Sequence, residues 1–157
     1  MGDKIFYPMH GAGIINKIEQ KEVLGIQKTY YVLAFPLSQM TVMLPMDSAE
    51  KVGLREIADS TSVVEVMALL RHPENTQNEN WNQRFRQNSL ALKSGNILDL
   101  ARVVKSLVLR HREKGLSTNE KRMLDEARQY LTSEIALANN LHIEQANNYI
   151  EDAIGMR

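Results

Sequence analysis

The sequence predicts an α+β protein, in which a small, strongly bent β-sheet or barrel precedes a compact all-helical domain of about five helices. Residues 1–57 contain short runs rich in Ile, Val, Tyr and Phe, separated by Gly and Pro, which is typical of strands and tight turns. After Gly53, apolar residues recur every three or four positions, which is typical of amphipathic helices. We therefore expect one domain over residues 1–55 and a second over residues 60–157.

The first domain is expected to contain four or five short strands, and four segments show a clear strand pattern. Gly11 and Gly13 bracket one turn, and Leu24-Gly25 marks the turn between the second and third patterns. Pro36 and Pro45 are expected at strand ends or sheet edges, because proline cannot donate a ladder hydrogen bond. The four segments are KIFYP, GIINKIEQKEV, KTYYVLAF and MTVMLPM.

Capping signals divide the second domain into helices. Ser62-x-x-Glu65 and Ser117-x-x-Glu120 both fit the capping box, and Gly115 is expected as a left-handed helix cap. Pro73 should close the first helix, and residues 72–80 read as a polar loop. The predicted helices cover about 62–72, 80–94, 96–114, 118–137 and 143–154. The expected core contacts are Phe85, Leu90 and Leu92 in the second helix and Ile97, Leu100, Ala101, Val104, Leu107 and Val108 in the third.

Charge is unevenly distributed along a chain whose net charge is zero. Residues 71–122 carry 11 basic and 5 acidic side chains, whereas residues 123–157 carry 2 basic and 6 acidic side chains. A basic middle segment indicates a polyanionic partner, although a solvated helix face gives the same pattern. The chain has no cysteine, no secretory signal and no apolar run near the roughly 20 residues that span a bilayer. We expect a cytoplasmic protein with no membrane partner.

The sequence offers little support for catalysis. Its four histidines form neither HxxxH nor HxH pairs, so a metal site is not expected. None of the patterns GxSxG, GxxxxGK[ST] and GxGxxG occurs. We expect a protein that is not an enzyme and that has no cofactor. A small hydrolase remains the less favoured alternative, since a serine–histidine–acid arrangement need not be local in sequence.

Trp81, the only tryptophan, lies in the polar stretch NENWNQRFRQN at residues 78–88. It is expected in the first turn of a helix, close to Arg84 and Arg86. One interpretation is an aromatic wedge with phosphate anchors, as architectural proteins use in the DNA minor groove. The other is a partly buried staple that holds the start of the helix. A second basic cluster surrounds the turn at 115–118 and contains Arg110, Arg112, Lys114, Lys121 and Arg122.

Two groups of strings resemble one known family. NWNQRFRQN and GLSTNEKRML resemble the helical domain of the CarD/CdnL family of bacterial transcription regulators. YPMHGAGII, YYVLAFP, MTVMLP and VGLR resemble the N-terminal domain of that family, which also occurs in the transcription-repair coupling factor. The resemblance implies a Tudor-like N-terminal domain that binds the RNA polymerase β subunit. It also implies a helical domain that contacts promoter DNA at the upstream edge of the transcription bubble.

The resemblance assigns roles to individual residues. Trp81 matches a tryptophan that wedges into the minor groove and helps to hold the bubble open, with weak sequence specificity. Gln83 replaces a basic residue that some members carry beside the wedge. The implied DNA-binding residues are Trp81, Arg84, Arg86, Lys121 and Arg122.

The implied polymerase contact is an exposed strand at residues 40–44, which would act by strand addition. Strand alternation places Thr41 and Met43 on the face opposite to Met40, Val42 and Leu44, so Met43 is expected to point outwards. Met43 stands where some members carry a basic residue. The implied polymerase-binding residues are Lys21, Met40, Thr41, Val42, Met43 and Leu44.

These observations favour a transcription regulator that bridges RNA polymerase and promoter DNA, and that reaches the nucleoid through the polymerase. The alternative is a polymerase-docking adaptor that recruits another protein through its helical domain without touching DNA. The acidic segment at 123–157 would suit that second role.

Overall fold

The computed structural model describes residues 2–72 and 81–155. The predicted stop at Pro73 and the predicted loop after His72 lie outside these ranges. Trp81 is described as the first residue of a helix, but its side chain lies outside the description. None of the helices in the described ranges is long and apolar enough to cross a membrane.

The N-terminal residues form a five-stranded antiparallel sheet with the strand order β4-β3-β2-β1-β5. The four predicted strand segments are confirmed, and a short fifth strand follows a 3-10 turn at Met46–Ser48. The strands are β1 (Lys4–Tyr7), β2 (Gly11–Val23), β3 (Ile26–Phe35), β4 (Met40–Pro45) and β5 (Arg55–Glu56).

Alternation along the strands creates the first apolar cluster. Every second side chain points to the same side of the sheet, so the cluster draws on four of the five strands. Gly13 has a steric reason to be glycine, because a Cβ there would lie 2.7 Å from both the Ala34 carbonyl oxygen and the Phe35 ring. The irregular pairing between Ile15 and Lys17 increases the local bend. The buried members are Ile5, Ile15, Leu33, Phe35 and Leu44.

The C-terminal residues form five helices within the described ranges, as the sequence predicts. They are α1 (Ser60–Arg71), α2 (Trp81–Ser94), α3 (Ile97–Lys114), α4 (Thr118–Asn139) and α5 (Ile143–Ile154).

Two predicted helix caps need correction. The cap of α1 is Asp59, whose Oδ1 accepts the Ser62 backbone N–H at 2.8 Å, so the Ser62–Glu65 capping box is wrong. That backbone hydrogen bond also lowers the pKa of Asp59 below its ordinary value. Gly115 has a positive φ of 75° but an extended ψ of 171°, so it is not a left-handed cap. The Ser117–Glu120 capping box is confirmed.

The helical core is built around α3. All six predicted stripe residues of this helix are buried, and α3 packs against α1, α2 and α4. In α2, Leu92 is buried and Phe85 is partly buried, as expected. Leu90 is 63% exposed, so its predicted core role is wrong. It lies two residues from Leu92, which places it on the opposite side of the helix.

One arginine connects the sheet to the helices. Arg55 of β5 donates two hydrogen bonds to the Glu134 carboxylate of α4, at 2.6 and 2.7 Å, and a third to the Gly95 carbonyl oxygen at 2.6 Å. Glu134 is 0% exposed and also accepts the Ala58 backbone N–H at 2.7 Å. The Arg55 guanidinium lies 4.5 Å from the centre of the Phe6 ring. This group forms the centre of the seam between the two predicted domains.

Further contacts extend the seam on both sides. Phe6 and Ala12 belong to the helical core cluster although they come from β1 and β2. The Ala12 backbone N–H donates to Ser133 Oγ at 3.0 Å. Lys4 Nζ donates to the Leu137 carbonyl oxygen at 2.8 Å. The sheet and helices therefore share apolar packing as well as polar contacts.

Replacing Arg55 with Ala should lower the free energy of unfolding by about 2–4 kcal/mol, because Glu134 would keep a buried charge without its partner. Denaturant unfolding at neutral pH measures the change. The double variant Arg55→Ala/Glu134→Gln should recover part of the loss. Arg102→Ala is the matched control, since its ion pair with Asp99 is exposed and should contribute less than about 1 kcal/mol. Equal losses for the two arginines would contradict this account of the seam.

Candidate polymerase and nucleic-acid interfaces

The β4 strand lies at one edge of the sheet and pairs only with β3 among the described strands. Its outer row of backbone N–H and C=O groups is therefore available to another strand. The sequence of β4, MTVMLP, carries no charged residue. Natural proteins usually protect exposed edge strands against pairing with other chains by means of charges, prolines or bulges. In β4 the only such residue is Pro45, and it stands at the last position.

The side chains of β4 divide between two faces as predicted. Thr41 and Met43 are exposed, Val42 is half-buried, and Leu44 is buried in the sheet core. Leu44 can therefore contribute to a partner contact through its backbone only, as strand addition requires. Met40 is exposed because it stands at the beginning of the strand.

Lys21 lies on β2, in the part of the β2–β3 hairpin that extends beyond the other strands. It is exposed and pairs across the hairpin with Lys28. The register places Lys21 on the same face as Met43: Lys28 and Val32 share one face of β3, and Met43 pairs with Val32. The structure therefore places Lys21 on the same face as Thr41 and Met43, whereas Met40, Val42 and Leu44 lie on the opposite face of the edge strand.

Helix α2 separates its two predicted DNA-binding arginines. Arg86 is exposed, but Arg84 is only 7% exposed, and its Nε lies 2.9 Å from Glu120 Oε2. A buried guanidinium that is held by a carboxylate is not available to a phosphate. The predicted DNA contact of Arg84 is therefore wrong, and Arg84 instead fixes α2 against the beginning of α4. Gln83 beside it is exposed.

The Arg84–Glu120 pair is tied into the cap of α4. Glu120 accepts a hydrogen bond from Ser117 Oγ at 3.2 Å, and Ser117 Oγ in turn accepts the Glu120 backbone N–H. Burial raises the pKa of the Glu120 carboxyl, but the hydrogen bond and charge of Arg84, with the Ser117 contacts, outweigh it. The net result is a pKa below the ordinary value of 4.5. Glu120 is therefore a carboxylate at neutral pH.

The Arg84–Glu120 ion pair joins α2 to α4, and both helices carry exposed basic residues. Lys121 and Arg122 are exposed on the first turn of α4, next to Glu120. Arg122 lines a groove of about 210 Å³ together with Lys93 of α2 and Met9 of the β1–β2 turn. The sequence analysis missed Lys93, although the basic middle segment contains it. Arg86, Lys93, Lys121 and Arg122 form what we call the basic surface.

Lys105 is a second basic residue whose role is internal. It is 2% exposed, and its Nζ donates to the carbonyl oxygens of Leu69, at 2.7 Å, and His72. These carbonyls lie at the end of α1, where helical C=O groups have no partner within the helix. Lys105 therefore fixes the point from which the chain continues towards Trp81. Its position one turn after Ala101, within the apolar stripe of α3, was the signal that it is buried.

Trp81 begins α2, and its side chain lies outside the described part of the chain. The choice between a wedge and a staple therefore stays a prediction. The position of its helix is fixed, because Arg84, three residues after Trp81, pairs with Glu120 of α4.

Comparison with known families agrees with both halves of this architecture. Residues 65–151 match the family model described as CarD, C-terminal domain, and residues 1–58 match the CarD-like/TRCF RID domain. The chain belongs to the CarD family. This CarD-family protein is also 37% identical over 149 residues to the "Putative transcription factor YdeB" of Bacillus subtilis (strain 168), a match that covers 95% of this chain and 97% of the relative. The protein is accordingly a CarD-like transcription factor whose N-terminal domain is of the type that interacts with RNA polymerase.

Replacing Arg84 with Gln should lower the free energy of unfolding by about 3 kcal/mol at neutral pH, because Glu120 would lose its buried partner. Arg86→Gln, two residues away and exposed, is the matched control and should change it by less than about 0.5 kcal/mol.

The cost of Arg84→Gln should depend on pH in a defined direction. The folded-state pKa of Glu120 is lowered, so the pair stabilises the fold above about pH 4.5 and loses this effect as the pH falls through the folded-state value. The difference between wild type and Arg84→Gln should therefore shrink in acid, as measured by denaturant unfolding from pH 7 to pH 3. A difference that grows on acidification would contradict the assignment.

Proposed function

We propose that this protein is a non-enzymatic transcription regulator that binds the β subunit of RNA polymerase and stabilises the open promoter complex. Docking uses strand addition at β4, and Trp81 enters the minor groove at the upstream edge of the bubble. The observation that carries the proposal is the uncharged edge of β4 within a domain of the polymerase-interacting type.

Strand addition suits this edge. The partner strand would bond to the backbone of β4, so the interaction tolerates changes in side chains such as the methionine at position 43. Thr41 and Met43 would contact the added domain from the outward face, while Leu44 keeps β4 anchored in the sheet core. Lys21 would add a charge contact from the same outward face.

The basic surface supports a contact with DNA. Arg86 lies five residues after Trp81 on α2, and Lys121 and Arg122 follow Glu120, which pairs with Arg84 near the beginning of α2. Lys93, in the last turn of α2, lines one groove with Arg122 and so extends the basic surface along the helix. A helix N-terminus favours phosphate through its N–H groups and dipole. A side chain that inserts only into an unstacked step binds the open promoter better than the closed one, and so shifts the equilibrium towards the open state.

A tether to polymerase explains how a chain with zero net charge can act on DNA. Attachment raises the local concentration of the helical domain near the promoter, so its own DNA affinity can be weak. A free, non-specific DNA binder would need more phosphate contacts. The Arg55–Glu134 seam supports this arrangement because it fixes the sheet that docks relative to the helices that touch DNA. The proposed location is the cytoplasm, on the nucleoid through the polymerase.

A second candidate function is an adaptor without DNA contact. Helices α4 and α5, with Leu37 of the β3–β4 turn, enclose a groove of about 550 Å³. Asp125, Glu144 and Ile143 are among its lining residues, which would suit a basic, partly apolar segment of another protein. This candidate predicts no effect of the basic surface on promoter complexes.

Replacing Trp81 with Ala should abolish the lengthening of open-complex lifetime by the protein, and Trp81→Phe should keep part of it because a smaller ring still wedges. The lifetime is measured on a bacterial promoter with its polymerase, after addition of a competitor. Arg86→Gln should shorten the lifetime less than Trp81→Ala and make it less sensitive to salt, because one phosphate contact is lost.

Thermal unfolding of the same variants separates the two interpretations of Trp81. Under the wedge interpretation, Trp81→Ala should melt close to wild type and still bind polymerase. If all variants support the same lifetime while Trp81→Ala melts earlier, the indole is a staple and the adaptor function leads.

A pair of proline variants tests docking through β4. Along an antiparallel strand, successive residues direct their N–H groups to opposite sides, so only one of Thr41 and Val42 points its N–H towards β3. Proline at the outward position should abolish binding to purified RNA polymerase with little change in melting temperature. Proline at the inward position should lower the melting temperature. If both variants bind polymerase like wild type, docking does not use this edge.

A further inference from the structure

The β2–β3 hairpin projects beyond the rest of the sheet. β1 pairs with β2 only as far as Ile14, and β4 pairs with β3 only from Tyr30 onwards. The remaining pairs, from Gln20–Thr29 to Val23–Ile26, form a ribbon of two strands. We call residues 20–29 the ribbon. No third strand among the described residues supports it, although isolated two-stranded hairpins are only marginally stable.

The ribbon ends in apolar side chains that the fold does not use. Leu24 is 97% exposed, Ile26 is 60% exposed and Val23 is 47% exposed. None of the three belongs to either apolar cluster. Val23 and Ile26 pair directly across the strands and place their methyl groups beside the turn. Burial in this chain therefore does not account for the apolar character of the tip.

The backbone conformation of the turn is unfavourable for a leucine at position 24. Leu24 and Gly25 have successive positive φ angles of 55° and 79°, which a type I′ hairpin turn requires. Glycine suits its position, but leucine is unfavourable in the left-handed region, where asparagine is preferred. A residue that fits neither the turn nor the solvent points to a role outside folding.

The ribbon also places two like charges together. Lys21 and Lys28 are exposed and directly opposite each other, an arrangement that destabilises an isolated hairpin. Among residues 2–72 and 81–155, no carboxylate lies within ion-pair distance of either lysine. Glu19 pairs with Lys17 at 2.5 Å, and that hydrogen bond, with the nearby charge of Lys21, lowers the pKa of Glu19. Lys21 and Lys28 share their face with the Val23–Ile26 pair and, through β3, with Met43. The face that would meet the polymerase therefore continues onto the ribbon.

We propose that the ribbon tip is a second docking element for RNA polymerase. Leu24, Val23 and Ile26 enter an apolar depression on the subunit that pairs with β4, and carboxylates at its rim face Lys21 and Lys28. The inference rests on the proposed docking through β4. The charge of the lysine pair and the continuity of the face with Met43 favour this occupant.

Strand geometry allows both contacts at once. A strand added to β4 lies about 9–10 Å from β3, since adjacent strands are separated by about 4.8 Å. The ribbon extends about 15 Å past the end of β4, at about 3.3 Å per residue. A domain that contributes the added strand would therefore have the side of the ribbon next to it. The backbone pairing supplies tolerance to sequence change, and the tip supplies selectivity for one partner surface.

Leu24→Asn is the sharpest test, because Asn-Gly is the preferred type I′ sequence and the variant keeps or improves the hairpin. We expect its affinity for purified RNA polymerase to fall roughly tenfold, as for other anchoring side chains, with an unchanged or higher melting temperature. Lys21→Gln/Lys28→Gln should weaken binding and reduce its dependence on salt. Val64→Gln, which removes an exposed apolar side chain from α1, is the matched control and should bind like wild type.

The outcomes separate this inference from the proposed function. If Leu24→Asn binds polymerase like wild type while the outward proline variant of β4 does not, the tip is not a docking element and the proposed function stands. If wild type does not bind polymerase, both fail. Vesicles that contain phosphatidylglycerol test the other surface that an apolar, basic tip could meet. Leu24-dependent binding to these vesicles, with unchanged polymerase affinity, would overturn the assignment in favour of a membrane.

Discussion

The architecture depends on one buried carboxylate and the arginine that neutralises it. Glu134 is fully enclosed, and its two oxygens accept three hydrogen bonds from Arg55 and the Ala58 backbone. A buried charge is tolerated only when it is paired and its lone pairs are satisfied, and both conditions hold here. Because Arg55 also reaches Gly95 and the Phe6 ring, the same contact fixes the sheet, the α2–α3 turn and α4. A protein that bridges polymerase and DNA needs a fixed position of α2 relative to β4, and the seam fixes that position.

Buried and exposed basic residues have different roles in the helical domain. Arg84 and Lys105 are internal, where they hold the beginning of α2 and the end of α1. Arg86, Lys121 and Arg122 are exposed and form most of the basic surface. The charge count of residues 71–122 therefore overstates the positive charge that a partner would meet. This division fits a tethered DNA contact better than a free one, since the electrostatic contribution to DNA affinity comes from exposed charges.

Local patterns in the sequence predict the elements well, and long-range pairing explains the errors. The apolar stripe of α3 and the four strand segments follow from side-chain periodicity, which depends on near neighbours only. Arg84 looked exposed because its neighbours are polar, but its partner Glu120 lies 36 residues further along the chain. The cap of α1 was misplaced because Asp59 and Ser62 are both good caps, and only the backbone shows which one the helix uses. The edge position of β4 depends on strand order, which no local pattern encodes.

The seam also has a consequence for how the chain matures during synthesis. Lys4 donates hydrogen bonds to Leu137 and Asn140, which lie 133 and 136 positions later in the sequence. Arg55 pairs with Glu134, which lies 79 positions later. All five strands therefore leave the ribosome well before the surface that covers Phe6 and Ala12 exists. Contacts of such long range form late, since their loop-closure entropy must be overcome first. Until α4 is made, the nascent sheet therefore exposes the apolar side chains of Phe6 and Ala12, and α4 covers them when it packs against the sheet.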